Sequence, residues 1–173
     1  MSFTQFHLFF DDLKVDQEWE SLGRTVTEAD LVNFAGLSGD FNPIHMDAEF
    51  AATTPFRQRI AHGILIFSLG SGLALFSPAV RTLAFKSLID WQFKEPVFIG
   101  DTVRLHSRVL NVESRARGRR GIVTWHRQIL NQHRKIVQEG RTQTLVQGRA
   151  AQDSTECDKD DLPKRTLQLA AQP

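Results

Sequence analysis

The residues best suited to chemistry in this chain are Asp40, Asn42 and His45, within the run Gly39-Asp40-Phe41-Asn42-Pro43-Ile44-His45. A carboxylate and an imidazole five residues apart in one turn form a candidate acid–base pair, since both can exchange a proton with a reacting group. The Asn42 amide between them is placed to orient a small polar molecule. A second landmark, Ala61-His62-Gly63, opens the most hydrophobic segment of the chain. A glycine at the start of a buried helix offers its backbone N–H to an anion, or to an oxyanion that develops during a reaction. His62 reads as structural, its ring satisfied by a neighbouring carbonyl. An isolated Asp-x4-His pair is also what an ordinary helix-ending aspartate would produce. Asn42-Pro43 between the pair, and the His-Gly helix start downstream, move the reading toward chemistry.

These groups need elements to hold them. Thr27-Glu28-Ala29-Asp30 is a capping box, and Leu31, Phe34, Ala35 and Ser38 follow at helical spacing until Gly39 supplies a stop. Asp40 is therefore expected just past a helix C-terminus, in a loop held by Pro43. A short helix is expected over residues 47–52, capped by Asp47. Ile60 to Ser77 is the central apolar element, with no polar face, which predicts a helix covered on all sides. Gly70, Ser71 and Gly72 lower its helix propensity and allow backbone or a ligand to approach. From Val80 the period changes to 2. Leu83, Phe85, Ser87, Ile89, Trp91 and Phe93 predict one long strand and Thr102 to Val112 a second. Val123, Trp125, Arg127 and Ile129 share one side of a third, and Lys135 to Gln147 pairs back after a hairpin loop at residues 131–134. The fold class expected is α+β, antiparallel strands curled around one buried helix. Residues 1–148 read as one domain and 149–173 as a polar tail, which is disordered or loosely attached.

Composition narrows the classes. Twenty-one Lys and Arg against 20 Asp and Glu leave a net charge of +1, which gives no push toward nucleic acid or a membrane surface. Thirteen Phe and no Tyr point to core or apolar-pocket roles for most of the rings. The single cysteine, Cys157, excludes an intramolecular disulfide framework and suggests a reducing compartment. With neither a leader-like start nor an 18-residue apolar span, the expected location is the cytoplasm. His45 and His62 lack a third ligand at metal-binding sequence spacing and there is no cysteine cluster, so no metal is expected. Arg115, Arg117, Arg119 and Arg120 form a basic hairpin, either a solvated turn or a contact for phosphate.

Three ordered blocks carry a family resemblance. The stretch Phe34 to Asp47, then Ile60-Ala61-His62-Gly63 with its apolar helix, then Phe93 to Val103 resemble the MaoC-like dehydratases, the (R)-specific enoyl-CoA hydratases of the hydratase 2 type. The likeness runs over residues 8–147. It implies a hotdog fold, an antiparallel sheet wrapped around a long central helix. It implies a coenzyme A thioester substrate, sometimes a carrier-protein one, with coenzyme A as part of the substrate and no separate cofactor. The reaction implied is reversible addition of water across a trans-2-enoyl thioester to give an (R)-3-hydroxyacyl product, by a homodimer or larger homo-oligomer with sheets joined edge to edge. One position departs: Asp16 stands where the family often has glycine.

On that resemblance, Asp40 is the base that draws the proton from water, His45 holds the same water, and either one returns a proton to C2. Asn42 orients the water or the substrate, and the Gly63 N–H stabilises the enolate oxygen. Ser71 orients His45, lines the acyl pocket, or is there because it is small. Two rival readings stand beside this one. A hotdog thioesterase would take its carboxylate from the central helix, but residues 63–77 contain no Asp or Glu. A non-catalytic binding or dimer-partner subunit would have lost Asp40 or His45.

Overall fold

A computed structural model describes residues 7–151 of the chain. Cys157 and all but the first three residues of the expected tail lie outside that range. Residues 149–151 form a single helical turn, and Arg149 pairs with Asp12 at 2.7 Å while its N–H donates to the Asp11 carboxylate.

The described residues form four α-helices and six strands: β1 (Glu18–Glu20), β2 (Arg24–Thr25), α1 (Glu28–Ser38), α2 (Pro43–Met46), α3 (Ala48–Thr53), α4 (Gly63–Leu73), β3 (Thr82–Phe93), β4 (Thr102–Arg115), β5 (Arg120–Leu130) and β6 (Ile136–Gln147). The local signals act as expected. Thr27 accepts from the Asp30 N–H and the Asp30 carboxylate accepts from the Thr27 N–H, which closes the box at the start of α1. Gly39 ends that helix at φ 76°, a left-handed conformation that glycine adopts without cost. Asp16, the departure from the family pattern, also has a positive φ, 70°, which explains why glycine suits that position. In this chain Asp16 ion-pairs with Arg108.

The sheet is antiparallel in the order β1-β4-β5-β6-β3, with β2 also on β4. On its inner face Val103, Leu105 and Ile129 pack with Leu65, Ile66 and Leu69 of α4, while Val109, Val123, Trp125 and Val146 form a second cluster with Leu13, flanked by Leu8, Phe10 and Trp19. At Gly70 a Cβ would come within 2.6 Å of the Ile129 side chain, so helix and sheet touch nearly backbone to side chain there.

Two expectations are corrected. The central helix is not covered on all sides: α4 stops at Leu73, a single 3-10 turn follows over Ala74–Phe76, and Ile64, Leu75 and Phe76 are exposed. Its apolar character is uniform, but the sheet reaches only one flank. Nor does β3 alternate cleanly. Three register shifts against β6, and Asp90 at φ 50°, break the period, so Leu83, Phe85, Leu88 and Phe93 are all exposed along a free edge. No helix among the described residues is long and apolar enough to cross a membrane.

Candidate active site

The loop between α1 and α2 is a chain of side chain to backbone bonds. Asp40 Oδ1 accepts from the Asn42 N–H at 3.2 Å, and Asn42 Oδ1 accepts from the Ile44 N–H at 3.2 Å. Asn42 thereby caps α2, with Pro43 at its first position. One lone pair of its carbonyl oxygen serves that cap, and its NH2 is placed to donate to a ligand.

Two histidines tie this loop to the start of α4. His45 Nδ1 lies 2.8 Å from the Ile60 carbonyl and His62 Nε2 lies 2.9 Å from the Asp40 carbonyl. A carbonyl oxygen only accepts, so each of those nitrogens carries a proton. In the neutral ring this leaves a lone pair on His45 Nε2 and on His62 Nδ1. The two rings lie 3.8 Å apart at 31°, and Phe34 closes on His62 at 5.1 Å. His62 is 2% exposed and its Nδ1 has no hydrogen-bond partner among the described residues.

The expectation of no metal rested on sequence spacing; in the fold, one donor atom each from Asp40, His45 and His62 lie within 4.8 Å of one another, a grouping that could hold a cation. His62 comes from 17 residues beyond His45, and the contact runs through a backbone carbonyl, so no linear motif announces it.

The cleft beside this cluster has a volume of about 400 Å³ and is lined by His45, Gly63, Ile66, Phe93, Pro96 and Gln138, among others. The segment before α4 is pinned by the Ala61 N–H donating to the Val97 carbonyl at 2.7 Å. Gly63 is the first residue of α4, where an N–H has no partner inside the helix. A Cβ at Gly63 would meet the Phe93 ring at 2.8 Å, so the bare backbone is what fits. Gln138, which sequence reasoning missed, is 2% exposed. Its Nε2 donates to the Gly63 carbonyl at 2.9 Å and its Oε1 accepts from Trp91 Nε1 at 3.0 Å. The available signal was a polar residue in an inward position of an alternating strand. At the rim Lys94 pairs with Glu139, and Gln128 and Lys94 bonded to that carboxylate hold it below the usual range.

Ser71 is not brought to His45. It sits two turns along α4 and lines a different cavity. The basic hairpin also lies elsewhere: Arg120 pairs with Gln147, whereas the cleft end of β5 pairs with Gln138, so the hairpin is at the opposite end of the sheet. Arg115 is ion-paired there with Glu113.

Residues 12–128 match the model of the MaoC-like domain. An (R)-specific enoyl-CoA hydratase of Rhodospirillum rubrum is 44% identical over 98 residues, 55% of this chain and 65% of the relative. The match thus spans just under two thirds of that relative's length. Among solved structures, an (R)-hydratase of Aeromonas caviae is 35% identical with a TM-score of 0.61, over 76% of this chain and 96% of that one. A double-hotdog protein of Mycobacterium tuberculosis, 18% identical with a TM-score of 0.73 over 88% of this chain and 46% of that one, shares the fold alone. The sheet-on-helix architecture is the hotdog fold.

Proposed function

The chain belongs to the MaoC-like domain family, and on that footing we propose that it is a hydro-lyase, adding water reversibly across the double bond of a trans-2-enoyl-CoA thioester to give an (R)-3-hydroxyacyl-CoA. The observation that carries this reading is the convergence of Asp40 and His45 donor atoms within 4.8 Å, beside a cleft lined by His45 and by Gly63, the first residue of α4.

The carboxylate of Asp40 and the lone pair on His45 Nε2 are both acceptors. A water held between them donates both its protons, and its own lone pair is then turned outward toward C3 of the substrate. As the C3–O bond forms, one water proton passes to one of the two acceptors. The electron pair of the C2–C3 bond moves toward the thioester, and negative charge collects on its oxygen. The Gly63 N–H, at the positive end of α4, stabilises that charge. The group that took the proton returns it to C2, so one water supplies both the hydroxyl and the hydrogen and the protein ends as it began. Only protein groups are used. Asn42 fixes the loop through its cap and presents its NH2 to the water or the substrate. His62 holds the Asp40 backbone.

We further propose a cytoplasmic homodimer or larger homo-oligomer joined along the exposed β3 edge, with no nucleic-acid or membrane partner. Sedimentation of the purified chain tests the assembly, and a monomer at micromolar concentration would remove it. The activity is tested by loss of enoyl absorbance with crotonyl-CoA, wild type beside Asp40→Asn. A loss of about 10²–10⁴-fold is expected in the variant. Failure of well-folded protein to consume any enoyl-CoA would overturn the reading for coenzyme A substrates.

A further inference from the structure

Along the inner face of the sheet, one cross-strand row is not apolar. Ser107 on β4, Arg127 on β5 and Gly140 on β6 are direct partners. The row before it is Leu105, Ile129 and Gln138, and the row after it is Val109, Trp125 and Thr142. An arginine thus faces inward between two tryptophan- and leucine-lined layers. Its guanidinium carbon lies 5.4 Å from the centre of the Trp125 ring. It makes no ion pair or side-chain hydrogen bond among the described residues, and its Nε is fully buried without a partner. Ser107 Oγ and Thr142 Oγ1 are also buried without partners. Burial pulls the Arg127 guanidinium down to about 10, with no anion opposing that shift.

Arg127 is half-buried, its Nε wholly out of reach of water. A cation so placed without a counter-ion is costly, and the contact with the Trp125 ring offsets only part of that. Such a cation fits a site whose anion arrives with a ligand. Arg127 forms part of the wall of a cavity of about 200 Å³ between α4, β3 and β5, which also contains Ser71, Phe85, Trp125 and Thr144. That cavity and the catalytic cleft lie along one stripe of α4. Gly63 lines the cleft, Phe67, Gly70 and Ser71 line the space over Arg127, and Ala74 lines the cavity. From Gly63 to Ser71 is about 12 Å at ~1.5 Å per residue. The space joining the two, lined by Phe67, Gly70, Arg127 and Ile129, is only about 10 Å³, so an acyl chain from Gly63 reaches Arg127 along this stripe only where the Phe67 and Ile129 side chains turn aside.

We infer that Arg127, with Ser107 and Thr142 beside it, binds a carboxylate at the far end of the acyl chain, so that the substrate is an ω-carboxylated enoyl thioester. The inference rests on the hydratase reading for the word substrate, but the anion site can be tested apart from turnover. In the turnover arm, ω-carboxy-trans-2-enoyl-CoAs are compared with unsubstituted chains of matched length, over a series of lengths. Wild type is expected to favour the carboxylated chain in kcat/KM by about 10²–10⁴-fold at the best length, as sites built for a polar substrate group reject the analogue lacking it. Arg127→Met is expected to bring that ratio down by about 10²-fold or more. In the binding arm, titration calorimetry compares sebacyl-CoA, whose ten-carbon chain is long enough for that span, with decanoyl-CoA, neither of which can be hydrated. Tighter sebacyl-CoA binding by wild type, lost in Arg127→Met, supports the anion site even if no enoyl-CoA is turned over, in which case the hydratase reading alone fails. Equal wild-type affinity for the two, together with a turnover ratio near one at every length, overturns the inference and leaves the hydratase reading standing. The wild-type comparisons need no variant, so a folding defect in Arg127→Met would leave both arms decisive.

Discussion

At the N-terminal end of α4 the polar side chains are tied to backbone: Asn42 to the Ile44 N–H, His45 to the Ile60 carbonyl, His62 to the Asp40 carbonyl, Gln138 to the Gly63 carbonyl. Along its C-terminal half, Ser107, Arg127 and Thr142 present buried atoms bonded to nothing among the described residues. The first arrangement fixes atoms in place, as a group that must meet a water and a reacting carbon requires. The second leaves hydrogen-bonding capacity unspent beside a cavity, which suits a site completed by its ligand. His62 Nδ1 is the exception at the first end, a buried lone pair against the His45 ring.

The contrast between the two ends is tested most severely at Gly63. Gly63→Ala places a Cβ 2.8 Å from the Phe93 ring and displaces the oxyanion donor, so kcat should fall about 10²–10³-fold with little change in thermal stability. Wild-type kcat in that variant would remove Gly63 from the mechanism. Next come two substitutions expected to have opposite signs. His62→Ala leaves a void under Phe34 and frees the Asp40 backbone, at a cost of about 2–3 kcal/mol in urea unfolding and with lower activity. Arg127→Met removes a buried charge without a partner and should leave the ligand-free protein as stable or about 1 kcal/mol more so. A large destabilisation by Arg127→Met would mean that the charge is already paired in the assembly, and the contrast would collapse.

A smaller effect is expected at the rim. Bonds from Gln128 and Lys94 hold the Glu139 carboxyl below its ordinary value of 4.5. A depressed folded value contributes stability above the unfolded value and loses it as pH falls through the folded one. Unfolding monitored from pH 6 down should therefore show an acid loss of about 1 kcal/mol or less that Glu139→Gln no longer shows. Thr27→Ala tests the scaffold alone, and about 1 kcal/mol should be lost with the α1 cap while catalysis is unchanged.

Features built from near neighbours were legible in the sequence. The Thr27–Asp30 box, the Gly39 stop and the Asp47 cap are decided within four residues, and each appears where the residues place it. Asp40 lies in the loop before α2 and His45 on α2 itself, five residues on, so their pairing could be read from spacing. The approach of His62, and the grip of Gln138 on Gly63, depend on how α1, α4 and β6 pack, and no spacing encodes that. Arg127 was visible on the inward side of β5, but its isolation follows from strand register, which sets Ser107 and Gly140 beside it. Hydrophobicity correctly identified α4 as the central element and could not say which flank the sheet leaves open. Periodicity failed on β3 for a similar reason, since bulges reset it at three points.

The sheet order has a consequence in time. β3 pairs with β6 alone, and residues 94–135 separate the two strands, so during synthesis β3 waits roughly 2–8 s at ~5–20 residues per second for its partner to be made. Through that interval Leu83, Phe85 and Leu88 stand on an unpaired strand open on both edges. Lys86 and Asp90 are the charges that interrupt it. Replacing that pair by neutral residues should leave the finished fold nearly unchanged and lower the yield of soluble chain, a penalty incurred before the molecule is complete.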